Sequence, residues 1–477
     1  MSNKLTIGLI RASLPSYFPE KYDVWSRAET ALSKLCEEES ATLYVAPDIP
    51  MDARDTQNAL DKCAAAGADF ILCLHGGFSM GDVARTIAAA PVKAGFWSVP
   101  EPVRTGDIQL NNFVSLNMSL SIARQVRNLR ERPVQWYHGA PESAALVSKL
   151  RTTIKALNAV KQLSQSRIGV IGGLAMTFYN MEVSSSALRS RIGVEVANHD
   201  MHELTQRMDS IEQSRIDKEL ANMNAAASVD GVSESQMALQ SKAVLAMQDI
   251  SKENDYAALA VSDWPALQDY PGMHPGAAFT WLEEKYNLPV ASEGDILGAV
   301  TQLVAQSISG KVGYLLDMTE PDLDAGQLLV WHGGGGPLYH ADSKGARWIN
   351  HPMIGRGTEQ GPIYGAIADL VFKDGPVSVF RVARDAGALF QMNSTVSGRD
   401  PSGFDGVRGW LDQFSMQGES LTLEDVVNTV MAHGLEHHFI LVPGDISAVL
   451  AEFGSWSGMK TLSACAVKDG LCAEDYS

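Results

Sequence analysis

Two carboxylates and a group of imidazoles are the residues of this chain whose types and spacing suggest chemistry. Glu293 lies in "LPVASEGD", where a short apolar strand gives way to the apolar stretch "ILGAVTQLVAQSIS". Asp317 ends a later apolar strand, "GYLLDM", 24 residues further on, about one strand–helix–strand step. In open parallel sheets ligands bind beyond the carboxyl ends of the strands, so carboxylates at the ends of two neighbouring strands would converge on one crevice. Left alone they would repel and one pKa would rise; a divalent cation between them removes the conflict. Oxygen ligands favour a hard ion, manganese or magnesium over zinc. Asp295 suits a plainer role as cap of the helix that follows it.

Histidines add to the set. "AHGLEHHFILVPGD" holds His433, His437 and His438, the last two opening an apolar strand. Strand residues alternate in direction, so one of the pair is expected to face a site. Imidazole is a common metal ligand, and a solvated strand-edge pair is the plain alternative. His332, in "VWHGGGGPLYH", precedes four consecutive glycines. Such a run lets backbone approach a ligand and offer it N–H groups, or is simply a flexible turn.

These residues need elements to position them. Candidate strands at 5–10, 41–46, 69–76 and 92–99 alternate with helical patterns, which predicts a parallel sheet covered on both faces. Helical stretches at 118–131 and 142–164 follow. A second strand–helix series runs through 166–174, 194–201, 256–264, 288–295 and 312–318, with a polar helical region between Glu203 and Asn254. The "GG" after "IGVI" lacks the full spacing of a dinucleotide-binding loop. Beyond residue 320 glycine and proline become denser and strand patterns dominate, as in an antiparallel, barrel-like β-rich domain. The expected fold is therefore α/β: two doubly wound parallel-sheet domains, 1–165 and 166–325, followed by a β-rich domain, 326–477.

At 477 residues the chain can build two or three domains. A net charge of −18 argues against non-specific nucleic-acid binding, because the phosphate backbone would repel it. Five scattered cysteines without a Cys-x-x-Cys pair read as reduced thiols of a cytoplasmic protein. The N-terminus shows no signal-peptide pattern, and no stretch reaches the roughly 18 apolar residues of a membrane span.

Over most of its length, and most strongly from Asp263 to the C-terminus, the chain resembles the L-fucose isomerase and L-arabinose isomerase superfamily. "VSDWPALQDYPGMHPGAAFTWLEEKYNLPVASEGD" is similar to the tryptophan–proline stretch that leads into that family's metal strand. The resemblance implies manganese, or another divalent cation such as magnesium or cobalt, held by Glu293, Asp317 and His438. His438 is selected by its distance to Gly444, with His437 open as the alternative. "LLVWHGGGGP" is similar to the segment where the arabinose branch has a further metal-site histidine, so His332 is expected to ligate or to touch substrate. The chain departs from the pattern in length, in Asp317 where the arabinose branch has Glu, and in Asp263 and Ser292 where relatives have cysteine. It reads as a divergent member.

What the resemblance implies is an aldose–ketose isomerase acting on a pentose, hexose or modified hexose. A proton moves between C2 and C1 through an enediolate, with Glu293 and Asp317 as base and acid. His437, His332, His75, Trp97, Glu101 and Arg104 are the expected substrate-binding residues, and Arg104 would favour an acidic or sulfonated sugar. The family also implies trimers or hexamers with active sites near subunit interfaces. The rival readings are a metal-dependent sugar epimerase or lyase and a non-catalytic sugar-binding protein.

Overall fold

The first third of the chain folds as its alternation predicts in the computed structural model, which describes residues 4–129, 131–354 and 364–465. Strands β1 (Thr6–Ala12), β2 (Thr42–Val45), β3 (Phe70–His75), β4 (Lys93–Ser98) and β5 (Val134–His138) form a parallel sheet in the order β2-β1-β3-β4-β5. Every residue of β3 is buried, as a central strand covered on both faces requires, whereas the edge strand β2 has no fully buried residue. The long helices Asn112–Val126 and Ala144–Ser164 flank β5. That strand is absent from the sequence expectation because "VQWYH" is half exposed and sits among charged residues.

Chain contacts divide the protein into two compact units, 1–162 with 448–458, and 163–447 with 459–477. In the smaller one, Cys36, Cys63 and Cys73 are buried free thiols. Burial pushes Cys36 and Cys63 up to about 11 and Cys73 to about 12. Since the thiolate is the nucleophile, about 0.1% or less of each is reactive at pH 8. Native protein is therefore expected to leave these three unlabelled by iodoacetamide at pH 8, and urea-unfolded protein to label all three. Peptide mapping reads the difference, and native labelling at the rate of a free thiol would contradict the packing.

Among its described residues the larger unit holds two sheets. β6 (Arg167–Ile171), β7 (Glu195–His199), β9 (Ala258–Val261) and β10 (Val290–Ala291) form a parallel sheet in the order β10-β9-β6-β7. The other sheet has 11 strands. It contains β8 (Ser228–Val229), β11 (Tyr314–Asp322), β12 (Gln327–His332), β13 (Arg347–Asn350), β14 (Gly365–Val371), β15 (Gly375–Ala383) and β16 (Ala388–Val396). β17 (Val407–Met416), β18 (Glu419–Ser420), β19 (His438–Pro443) and β20 (Lys460–Thr461) complete it. Its path ends at β20 and β8, so the sheet is not closed as a barrel, although β16 also pairs with β17 and curls its middle. Among the described residues no helix is long and apolar enough to cross a membrane.

One expectation is overturned here. The strand carrying Asp317 is not the next parallel strand after the one leading to Glu293. β11 lies in the 11-stranded sheet, antiparallel to both β12 and β19, and continues past Asp317 to Asp322. A run of apolar residues fits a buried strand of either sheet, and only pairing separates the two.

Candidate active site

Asp317 and His438 face each other directly across β11 and β19. Antiparallel partners in register bring side chains within about 5 Å of one another. Glu293 joins them from a different structure, the single 3-10 turn Ser292–Gly294 at the end of β10. Its φ of 61° is left-handed, and Gly294 follows at 72° with the site of a Cβ only 2.1 Å from the Gly173 carbonyl oxygen. A side chain there would collide with backbone, so glycine is required. Asp263 fixes the turn: Glu293 N–H donates to its Oδ1 at 2.6 Å and the Ser292 hydroxyl to its Oδ2 at 2.8 Å.

Side-chain geometry then assembles the centre. His438 Nε2 lies 3.4 Å from Glu293 Oε2 and 3.8 Å from Asp317 Oδ1. His437 Nε2 lies 3.2 Å from Glu293 Oε2, so both histidines reach the same carboxylate. Strand alternation does not separate them, because β19 begins only at His438. Asn180 Nδ2 donates to His437 Nδ1 at 3.0 Å, which leaves the Nε2 proton of His437 directed at Glu293. Phe178 packs on the His437 ring at 5.3 Å.

His438 is held differently. Its Nδ1–H donates to Asp295 Oδ2 at 3.0 Å, which leaves the Nε2 lone pair aimed at Glu293 and Asp317. Asp295 caps the helix Ile296–Ser309 as expected, accepting from Gly298 N–H at 2.8 Å. It also takes two hydrogen bonds from Arg381, at 2.8 and 3.2 Å. Arg381 Nη1 reaches the His438 carbonyl at 2.9 Å, and its Nε reaches Glu436 at 3.3 Å. Asp295, Arg381 and His438 are all fully buried. Burial opposes a charge on Asp295, but Arg381 and His438 outweigh it and hold the carboxyl far below the usual range.

Two atoms test whether the set suits a cation. His438 Nε2 and Asp317 Oδ1 are buried and lack a hydrogen-bond partner, although they face each other. A lone pair opposed to a carboxylate oxygen is costly unless a positive charge lies between them. Glu293, His437 and His438, and likewise Asp317, His332 and His438, form groups that could hold a metal ion. Burial lowers the basicity of His438, but Asp295, Asp317 and Glu293 together raise it above its ordinary value, so a proton can stand where a cation would. A third of the Asp317 side chain opens to the pocket, yet its surroundings are dense. That burial first, and Glu293 after it, push Asp317 up to about 6 against the pull of His438 and His437.

A pocket of about 350 Å³ opens on these groups, lined among others by Phe178, Trp264, Trp331, His332, His274 and His351. Sequence reasoning missed His274 and His351, which stand as single histidines in "PGMHPG" and "INHPM" without a spacing signal. The glycine run after His332 packs closely: a Cβ on Gly276 would lie 2.6 Å from the Gly334 carbonyl. Two of its N–H groups are used internally, Gly334 to His332 and Gly336 to Thr280.

The four remaining candidates lie in the smaller unit. His75 is buried, with a serine hydroxyl on each ring nitrogen, Ser79 at 2.9 Å and Ser119 at 3.0 Å. Trp97 is buried and donates to the Gly139 carbonyl. Glu101 accepts from the N–H groups of Leu110 and Asn111, which staples its own loop. Arg104 is exposed.

No family model matches the chain. Among curated proteins it is similar to the sulfoquinovose isomerase of Alkalicoccus urumqiensis, 25% identical over 363 residues, which are 75% of this chain and 77% of that protein. The sulfoquinovose isomerase of Priestia megaterium (strain ATCC 12872 / QMB1551) is 24% identical over 436 residues, 88% of this chain and 92% of the relative. That of Clostridium sp. (strain MSTE9) is 25% identical over 359 residues, covering 73% and 76%. The similarity thus runs along most of the chain, and each of these relatives is a sugar isomerase by name.

Proposed function

We propose that this protein is a metal-dependent aldose–ketose isomerase of a modified hexose, of the sulfoquinovose type, and a divergent member of the L-fucose/L-arabinose isomerase superfamily. The observation that carries the reading is the buried, unpartnered Nε2 of His438, which lies 3.4 Å from Glu293 and 3.8 Å from Asp317, two carboxylates that line the pocket. The relatives' name supplies the reaction class. Glu293, Asp317 and His438 would hold a hard divalent cation such as Mn2+, with His437 held back by its own hydrogen bonds. When bound, the cation stabilises negative charge developing on the sugar oxygens. Glu293 and Asp317 move the proton between C2 and C1 through the enediolate. In a trimer or hexamer, as the superfamily implies, the exposed Arg104 is the cation offered to an acidic substituent. A cytoplasmic location accords with the buried reduced thiols.

The test is incubation with sulfoquinovose and glucose in D₂O, with Mn2+ and with EDTA. The expected result is ketose from the sulfonated sugar carrying solvent deuterium, abolished by EDTA. Return of the aldose with inverted C2 would make the protein an epimerase, and absence of exchange would leave it a binding protein.

A pH dependence follows. Ligation needs the Asp317 carboxylate, and in the cation-free protein this group takes up its proton as pH falls through about 6. His438 must likewise give up the proton its neighbouring carboxylates favour, so proton and metal compete at two ligands and Mn2+ affinity is expected to fall at least about tenfold per pH unit below 6. Titration calorimetry at pH 7.5 and 5.0 measures it, and equal affinities would remove Asp317 from the ligand set.

A further inference from the structure

Three buried histidines line the pocket, and their rings are fixed in one manner. Gly334 N–H donates to His332 Nδ1 at 2.7 Å, and Gly276 N–H donates to His274 Nδ1 at 3.3 Å. Met353 and Ile354 N–H both donate to His351 Nδ1, at 3.1 and 2.9 Å. A backbone N–H can only donate, so each Nδ1 presents its lone pair and carries no proton. A neutral ring held this way bears its proton on Nε2. Burial acts in the same direction, pushing His351 down to about 4.

The contrast with His438 separates two jobs. There Nδ1 faces a carboxylate, so the proton sits on Nδ1 and the Nε2 lone pair is left over. His332 stands edge-on to His438 with ring centroids 5.1 Å apart and one ring nitrogen within 4.8 Å of the Asp317 and His438 ligand atoms. By position it belongs with the ligands; by tautomer it has no lone pair to give. His274 directs Nε2 at Asp263 Oδ2, 3.6 Å away. Among the described residues no protein group takes up the Nε2–H of His332 or His351, although both line the pocket.

We propose that His332 is a hydrogen-bond donor to a sugar oxygen through Nε2–H and not a ligand of the cation, and that His351 extends the same donor face along the pocket. This rests on the isomerase reading above and deepens it. A cation and a row of neutral N–H donors would grip the same substrate from two sides, and neither places an additional charge beside the acid–base pair. The ligands recognised are hydroxyl or sulfonate oxygens, all of them acceptors.

The experiment compares wild type, His332→Ala and His332→Gln. Mn2+ binding is read by electron paramagnetic resonance of the free ion, and kinetics are read with sulfoquinovose. The expected result for His332→Ala is Mn2+ affinity within about threefold of wild type, where loss of a true ligand costs at least about tenfold. Its kcat/KM is expected to fall about tenfold, and His332→Gln, which restores an N–H, should recover part of that. Loss of Mn2+ affinity in His332→Ala by tenfold or more would overturn the proposal. A second measurement does not depend on the variant's folding or on metal uptake. In 15N-histidine-labelled wild type, His332 should show a protonated Nε2 and bare Nδ1, both alone and with Mg2+; the opposite tautomer overturns the assignment. If wild type takes up no divalent cation, the isomerase reading fails, and the tautomer still decides the donor role.

Discussion

Glu293→Gln is expected to lower kcat at least 100-fold, with the protein still folded. General acid–base catalysis contributes about 10²- to 10⁴-fold, and the lower bound corresponds to about 2.7 kcal/mol of barrier. The amide is nearly isosteric, and the turn that positions it is held by Asp263 and Gly294, not by the Glu293 carboxylate. The loss should therefore appear in turnover and in Mn2+ affinity without a change in melting temperature. Steady-state kinetics at saturating metal measure it. A variant keeping more than about a tenth of wild-type turnover would remove Glu293 from the chemistry.

Asp295→Ala is expected to be the most destabilising single change near the site. It leaves Arg381 fully buried without its principal partner, and breaking a buried pair from one side costs about 3–5 kcal/mol. Loss of the helix cap adds about 1 kcal/mol. The sign of the pH dependence follows from the depressed carboxyl: its contribution is present above the unfolded value near 4 and is lost only as pH falls through the lower folded value. Urea unfolding at pH 7 should show the full difference between wild type and variant. Asp295→Asn keeps one acceptor oxygen, enough for the cap at Gly298 N–H, but turns an NH2 toward His438 Nδ1 and removes the charge opposite Arg381. It should retain the fold better and still lose about 10- to 100-fold in Mn2+ affinity, because His438 would no longer be held in its Nδ1–H tautomer. Unchanged affinity in Asp295→Asn would reduce Asp295 to a purely structural residue.

Much of this centre was legible one residue at a time. Glu293, Asp317 and His438 stand out as a strand-end carboxylate, a carboxylate in an apolar strand and an imidazole opening another. The parallel sheet β2-β1-β3-β4-β5 follows from short apolar strands alternating with amphipathic helices. The helix cap at Asp295 was legible too, because a cap is a contact between residues three apart.

What the sequence determined by itself is local: the alternation of short apolar strands and helices in the first third of the chain, and the helix cap at Asp295. The tertiary structure alone decided that Asp317 pairs with His438 in an antiparallel sheet, that Asp295 serves a ring 143 positions away, and that His274 and His351 join the pocket. The physical reason is range. Hydrophobic period and turn chemistry are set by neighbours along the chain. Strand pairing, tautomer and pKa are set by hydrogen bonds and burial between residues whose separation no period records.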